Sequence, residues 1–251
     1  MEFCGKTDIG KKRSTNQDNF YVGYISRLPD EKKVLLAVVC DGMGGAAGGN
    51  VASSLAVSVF TSFVEKKVRE SLEKGICLFE SILTDAVDQA NTAVYEQATN
   101  DPALSGMGTT LVSCIITDDS IYAVNVGDSR MYVYRDKDKK IQLTRDHSYV
   151  QSLVDSGQIS TEQAKTHPNK NIITRALGID IYVESDTFKI DRSVFALLLC
   201  SDGLSGYSSE SDLNGIILSQ DSPVIEITEK LIAKANENGG GDNITAIVVK
   251  L

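Results

Sequence analysis

The sequence of 251 residues contains no low-complexity tract, no internal repeat and no linker rich in proline and serine. Its two most apolar runs, at 34–40 and 194–200, extend for about seven residues, whereas a membrane-spanning helix needs about 20. The amino terminus lacks the apolar segment that is typical of a secretory signal. We therefore expect one domain covering residues 1–251, without a membrane-spanning segment.

Paired cysteine motifs are also missing. The five cysteines are odd in number and form no Cys-x-x-Cys pair; they are Cys4, Cys40, Cys77, Cys114 and Cys200. Most of them lie in apolar runs. This pattern indicates reduced core cysteines in a cytoplasmic protein, and it disfavours a disulfide framework or a zinc site.

Basic clusters are scarce, since the single basic run is the Lys-Lys-Arg of residues 11–13 and the net charge is −9. Nucleic acid and anionic membranes are therefore poor partners, because both carry negative charge. An acidic protein can still bind an anionic substrate where metal cations or a well-placed arginine reverse the local field.

Short β-rich runs alternate with helical patterns along the chain. Strands are predicted within 34–45, 110–118, 120–135, 194–206 and 243–251, and amphipathic helices within 51–68, 79–94 and 223–236. Ser222 is the expected N-cap of the last helix, with Pro223 at its first position. Ser160 and Gln163 have the spacing of a capping box. Because no regular βαβ rhythm is present, we expect an α+β fold of antiparallel sheets covered by helix pairs.

Four aspartates stand where predicted strands begin or end. Asp41 and Asp202 each follow an apolar run and precede a glycine, Asp128 follows YAVNVG, and Asp242 precedes the last strand. At one edge of a sheet these carboxylates would repel each other unless cations lay between them. Oxygen ligands without histidine or thiolate favour Mg²⁺ or Mn²⁺, so this interpretation predicts a metal centre suited to hydrolysing phosphate esters.

Other interpretations of the same segments remain open. An Asp-Gly pair often forms a hairpin turn, although neither Asp41 nor Asp202 stands between two predicted strands. Residues 42–47 have the spacing of a dinucleotide-binding fingerprint, but no second strand follows to supply a ribose-binding acid. A phosphohydrolase that forms an aspartyl-phosphate needs Asp-x-Asp at a strand end, and the spacing occurs only at Asp136 and Asp138 in a lysine-rich turn.

Taken together, the motifs resemble those of the metal-dependent protein phosphatases (PPM, or type 2C serine/threonine phosphatases), in particular the compact bacterial members. The matching phrases, in family order, are TDIGKKRSTNQDNF (7–20), VCDGMGG (39–45), GTTL (108–111), VGDSRMY (126–132), TRDHS (144–148), TRALG (174–178), CSDGL (200–204) and GGGDNIT (239–245). The resemblance implies a four-layer sandwich of two antiparallel β-sheets flanked by antiparallel helix pairs. It also implies a dinuclear Mg²⁺ or Mn²⁺ site at one edge of that sandwich.

The resemblance assigns the core metal ligands by motif position. Asp41 would bridge both ions, and the carbonyl of Gly42 would bind the second ion. Asp202 and Asp242 would bind the first ion. Asp41, Asp202 and Arg13 are the residues that we expect to be catalytic.

Three further residues receive roles from the same resemblance. Asp128 would bind a third, weaker metal, and Asp18 would lie near the second ion, through water. Arg13 would bind the substrate phosphate, which suits a bidentate guanidinium group. Two residues depart from some relatives: Gln17 stands where they have a metal-binding Glu, and Met43 where they have a His that is proposed as the general acid.

Because Met43 stands where some relatives have the proposed acid, we expect a metal-bound water to donate the leaving-group proton. His147 lies in a motif that is more often structural in the family, and His167 is a weaker candidate for the acid. The segment 148–171 corresponds to the variable flap of the family and is a candidate selector of substrates.

The resemblance implies a metal-dependent serine/threonine phosphatase that hydrolyses phosphoserine and phosphothreonine on proteins through a metal-activated water. Phosphorylated proteins, an opposing serine/threonine kinase and its targets are the implied partners, and a monomer is expected. The alternative is a non-catalytic regulatory or binding member of the same family, which would have lost metal ligands.

Overall fold

The computed structural model describes residues 1–25, 33–76, 78–136, 139–219 and 222–251. Cys77 and Asp138, both named in the predictions above, lie outside these ranges. In the described ranges the strands are β1 (Glu2–Asp8), β2 (Asp18–Tyr24), β3 (Leu35–Met43), β4 (Gly108–Thr109), β5 (Leu111–Ile116), β6 (Ser120–Val126), β7 (Arg130–Asp136), β8 (Lys139–Gln142), β9 (Asp186–Asp191), β10 (Ala196–Cys200) and β11 (Ile244–Lys250). The helices are α1 (Gly45–Lys74), α2 (Phe79–Asn100), α3 (Tyr149–Asp155), α4 (Thr161–Lys165), α5 (Asp202–Ser205), α6 (Glu210–Ile217) and α7 (Val224–Glu237).

The strands form two antiparallel sheets, as the sequence predicted. The first sheet has the order β1-β11-β10-β7-β8, and the second has the order β2-β3-β5-β6-β9, with the short β4 pairing to the end of β3. Helices α1 and α2 pack together on the second sheet, while α7, with α6 beside it, packs on β1 and β11 of the first sheet. The α+β architecture is therefore confirmed.

Three apolar layers separate these four layers of structure. The side chains of Leu36 and Val38 lie in the layer between the second sheet and α1 and α2. Those of Leu35 and Val39 lie in the layer between the two sheets, where they meet Leu197 and other residues of the first sheet. A third layer lies between the first sheet and α7. Both faces of β3 are thus buried, and this explains why its sequence is continuously apolar rather than alternating.

The boundaries of several elements differ from the prediction. The segment predicted as strand over 120–135 is two strands, β6 and β7, which lie in different sheets and are joined by a turn at 127–129. Pro223 is itself the N-cap of α7, so Ser222 stands one residue too early to cap it. The capping box of Ser160 and Gln163 is present at the start of α4.

The edge strands of the two sheets were not predicted; they are β1 and β8 in the first sheet and β2 and β9 in the second. In β2 only the first residue is buried and the remaining ones are half-buried, so the local sequence carries little apolar signal. In the described parts of the chain, no helix combines the length and apolarity needed to cross a membrane.

Candidate carboxylate metal centre

Five of the predicted site aspartates lie at the same end of the sandwich. Asp18, at the start of β2, stands opposite Asp41 near the end of β3. Asp202 begins α5 two residues after β10, and Asp242 lies two residues before β11, which pairs with β10. Asp128 lies in the turn from β6 to β7. It follows Val126, the last residue of β6, which pairs with Leu111 at the start of β5.

The carboxylates are close enough to perturb one another. The pKa of Asp41 is raised well above its ordinary value, first by burial and then by the negative charges of Asp18, Asp202, Asp128 and Asp242. Removing a carboxylate from water disfavours its charged form, and like charges nearby add to that effect. The fold therefore assembles negative charge here at a cost that a bound cation would relieve.

Asp18 connects the two sheets. Its Oδ2 accepts hydrogen bonds from the hydroxyl groups of Ser201 at 2.7 Å and Thr245 at 2.6 Å, which belong to the first sheet's end. Its Oδ1 is buried and has no hydrogen-bond partner among the described residues. Burial raises the pKa of Asp18 to about 7, although both hydroxyl groups act in the opposite direction.

Asp202 is buried beside Asp41 and Asp242. Burial raises the pKa of Asp202, the charge of Asp242 raises it further, and the interaction with the Asp41 side chain lowers it. Asp202 Oδ1 is a second buried oxygen without a hydrogen-bond partner in the described structure.

Asp128 occupies a turn that His147 supports from behind. Burial, followed by the charge of Asp202, raises the pKa of Asp128 to about 8. His147 Nδ1 accepts a hydrogen bond of 3.0 Å from the N–H of Gly127, and the N–H of His147 donates to the carbonyl of Gly127, also at 3.0 Å. The Nε2 atom of His147 faces Asp186 at 3.2 Å, and burial lowers the pKa of the ring. His147 therefore holds the turn rather than facing the carboxylates.

His167 lies shortly after α4, away from this network. Its Nδ1 accepts a hydrogen bond from the N–H of Asn169 at 3.1 Å, and its ring lies 6.0 Å from that of Tyr149. These local contacts indicate a structural role within the segment 148–171.

Arg13 lies at the exposed side of the cluster. Its Nη2 donates a 2.8 Å hydrogen bond to Asp242 Oδ2, and half of its side chain remains exposed. The bond to Asp242 raises the pKa of Arg13, and the charges of Asp41 and Asp202 contribute further. A cationic group with free donors beside the carboxylates is placed to receive an anionic substrate.

Gln17 and Gly42 fix the start of α1 against β3. Gln17 Nε2 donates to the carbonyl of Gly45 at 2.9 Å, and the N–H of Gly42 donates to the carbonyl of Gln17 at 3.1 Å. A Cβ on Gly42 would stand 2.0 Å from the carbonyl oxygen of Gly49. Position 42 thus requires glycine for the close approach of α1. The ligand role of the Gly42 carbonyl stays a prediction.

Three residues that support the site were not assigned a role from the sequence: Ser201, Thr245 and Asn243. Asn243 donates through Nδ2 to the carbonyls of Ile9 and Thr15, both at 3.0 Å, and accepts from the N–H of Gln17 at 2.8 Å. It thereby fixes the segment that carries Arg13. The sequence could have indicated two of them, because Ser201 and Asn243 are each adjacent to a predicted site aspartate.

A hard divalent cation fits the chemistry of these side chains. The donors are carboxylate oxygens, two of them are buried without a partner, and their mutual repulsion is the kind that Mg²⁺ or Mn²⁺ neutralises. Among the described residues, no three acidic, histidine or cysteine side chains form a ready-made set of ligands.

A two-sheet sandwich with aspartates gathered at one end is the arrangement of a known class of hydrolases. The protein phosphatase 2C family matches residues 4–247, so the chain belongs to this family. The sequence-based prediction of the family is confirmed.

Individual relatives and solved structures agree with this assignment. The serine/threonine phosphatase Stp of Listeria welshimeri is 38% identical over 98% of this chain and 94% of its own length. The crystal structure of the Mycobacterium tuberculosis serine/threonine phosphatase PstP/Ppp is 33% identical, with a TM-score of 0.86, covering 100% of this chain and 98% of that chain. The catalytic domain of the serine/threonine protein phosphatase PstP in complex with 2 manganese ions is 32% identical, with a TM-score of 0.82, covering 99% and 97% of the two chains.

Proposed function

We propose that the protein is a metal-dependent phosphatase that hydrolyses phosphoserine and phosphothreonine on proteins. The observation that carries the proposal is the group of buried aspartates that raise one another's pKa, with Arg13 beside them. The names of relatives that are serine/threonine phosphatases and match nearly the whole of this chain support the same activity.

We assign the ions to the oxygen ligands that this end of the sandwich offers. Two Mg²⁺ or Mn²⁺ ions would be held by Asp41, Asp202, Asp242 and the carbonyl of Gly42, with Asp18 near the second ion and Asp128 at a third, weaker site. The two manganese ions of the PstP structure support this assignment. When bound, such ions supply the positive charge that activates water and neutralises phosphate oxygens.

The chain's own residues bind and orient the phosphate. Arg13 presents guanidinium donors that match the geometry of phosphate oxygens, and its bond to Asp242 holds it at the site before substrate arrives. Asn243 fixes the backbone of the segment that carries Arg13, so this group is pre-positioned.

We infer that neither Met43 nor His147 donates the leaving-group proton. Met43 carries no ionisable group, and the Nδ1 of His147 is engaged with the backbone of Gly127. The proton would therefore come from a water molecule at the site, as the sequence suggested.

The function is tested by dephosphorylation of matched phosphoserine, phosphothreonine and phosphotyrosine peptides with Mn²⁺, with and without EDTA. We expect turnover of the first two peptides that EDTA abolishes. Asp202→Asn should lower kcat at least about 100-fold, because it removes charge from the proposed ligands, whereas Asp85→Asn, an exposed residue of α2, should not. Mn²⁺-dependent activity that survives in Asp202→Asn would refute the assignment of the site.

The alternative from the same family, a non-catalytic binding member, predicts a different result. It would bind a phosphopeptide without releasing phosphate, with or without Mn²⁺. The intact set of aspartates argues against it, and absence of turnover in the wild-type protein would favour it.

A further inference from the structure

An apolar surface adjoins the aspartates on the same face of the sheet. Within β3, Leu35, Ala37 and Val39 face the layer between the two sheets. Because side chains on a strand alternate, Asp41 and Met43 continue along that face. Met43 is half-buried and lies one strand repeat beyond the carboxylate that the proposed function places at the metal centre.

A second apolar side chain meets Met43 over a glycine. Gly108 of β4 pairs with Met43 of β3. A Cβ on Gly108 would stand 2.8 Å from the terminal methyl carbon of Met43 and 2.9 Å from the Cδ1 of Ile179. The absence of a side chain at position 108 therefore lets both side chains lie over the same point of the backbone, and 43% of Ile179 remains exposed.

The loop that carries Ile179 is fixed in place. Its start is joined to β4, because Leu177 and Thr109 exchange backbone hydrogen bonds of 2.8 and 3.1 Å. Asn91 of α2, which is 1% exposed, accepts a 2.8 Å bond from the N–H of Gly178. Asn91 also donates to the carbonyls of Asp180 and Ile181 at 3.0 and 3.1 Å.

This buried amide gives the loop a defined conformation although its apolar side chains face solvent. Ile181 and Tyr182, the next large apolar residues of the loop, are 60% and 85% exposed. Exposed apolar residues that a buried polar group holds in position are typical of a binding surface rather than of a solvated loop.

We propose that Met43 and Ile179 form a subsite for an apolar side chain of the phosphoprotein substrate, close in sequence to the phosphorylated residue. This proposal rests on the proposed function and extends it to substrate selection. From Asp41, the subsite lies two residues along β3 and one strand across, a distance of about 8 Å, which two to three residues of extended peptide span. The exposed carboxylate of Asp180, between Ile179 and Ile181, disfavours an acidic residue at the same place.

The test compares phosphothreonine peptides that differ at one position within three residues of the phosphothreonine, where leucine, glutamine or aspartate is placed in turn. For the wild-type protein with Mn²⁺ we expect kcat/KM to rank leucine above glutamine above aspartate. The leucine-to-glutamine ratio should be about tenfold at the best position, the low end of the range for apolar discrimination in a pocket. Hydrolysis of p-nitrophenyl phosphate, which has no peptide chain, normalises each preparation.

Variants at position 179 separate the subsite from general effects. Ile179→Ser should bring the leucine-to-glutamine ratio close to one, mainly through KM, whereas Ile179→Leu should retain most of it. Ile76→Ser replaces another exposed isoleucine beyond the end of α1, 63% exposed against 43% for Ile179, and should leave the ratio unchanged. Melting temperatures of all three variants check that each is folded.

Each outcome decides between the proposals. A wild-type protein that ranks the peptides equally, or an Ile179→Ser variant that keeps the wild-type ratio, overturns the subsite and leaves the proposed function intact. A wild-type protein that hydrolyses neither the peptides nor p-nitrophenyl phosphate overturns both. A change in sedimentation of Ile179→Ser, with an unchanged ratio, would assign the surface to self-association instead.

Discussion

The sharpest consequence of the acidic cluster concerns the stability of the metal-free protein. Asp18→Asn removes a carboxyl group that is 5% exposed and lies between the two sheets. An asparagine Oδ1 can still accept the hydroxyl hydrogen bonds of Ser201 and Thr245, so the substitution removes the titrating group and keeps the connection.

The magnitude follows from the raised pKa. Burial raises the pKa of Asp18 to about 7 from its ordinary 3.8, so between these values the folded protein binds a proton that the unfolded chain releases. Its contribution to stability is complete below pH 3.8 and is lost as the pH rises through about 7. Between about pH 5 and about pH 7 the loss is about 2 kcal/mol, because the slope of about 1.4 kcal/mol per pH unit falls to half where the folded-state carboxyl is half protonated; this corresponds to roughly 4–8 °C in melting temperature.

The assay is thermal unfolding of wild type and Asp18→Asn in EDTA across this pH range. We expect the wild-type melting temperature to fall relative to that of Asp18→Asn as the pH rises. Near pH 7, Mn²⁺ should raise the melting temperature of the wild type more than that of Asp18→Asn. Asp85→Asn, which alters an exposed residue of α2, is the control and should follow the wild type. Parallel curves for wild type and Asp18→Asn in EDTA would refute the reasoning.

Two further predictions concern packing and ion pairing near the site. Gly42→Ala should lower the free energy of unfolding by at least about 3 kcal/mol, because its Cβ would meet the carbonyl of Gly49 at 2.0 Å. Urea unfolding measures this loss, and a value below about 1 kcal/mol would show that α1 can shift freely. Arg130→Lys should lower the free energy of unfolding by about 2 kcal/mol, because the guanidinium group donates two hydrogen bonds of 2.8 and 2.6 Å to Asp146 and lysine cannot make this bidentate pair. An unchanged urea midpoint would contradict that account.

The parts of the fold that the sequence predicted well are those with a strong local signal. Strands β3 and β10 are buried on both faces, and each is therefore an unbroken apolar run. The boundary between β6 and β7 was missed because apolar residues flank the turn on both sides. The turn itself is marked only by Gly127 and Asp128.

The site was predictable to a similar, partial extent. The motifs locate the aspartates because each one adjoins a strand end, where local sequence is informative. The hydroxyl groups that hold Asp18 are not visible in this way, since Ser201 and Thr245 lie 183 and 227 residues away along the chain. The position of Met43 and Ile179 over Gly108 depends in the same way on a pairing through β4 that no local pattern encodes.

The pairing of β1 with β11 has a consequence for the order in which the protein becomes competent during synthesis. Asp8, at the end of β1, stands opposite Ile244, at the start of β11, and Asn243 beside it anchors the segment of Arg13. A ribosome-bound chain that has not yet exposed β11 therefore lacks both an interior strand of the first sheet and the anchor of Arg13, the residue that we propose to bind phosphate. Nascent chains should remain inert until this strand has emerged from the exit tunnel.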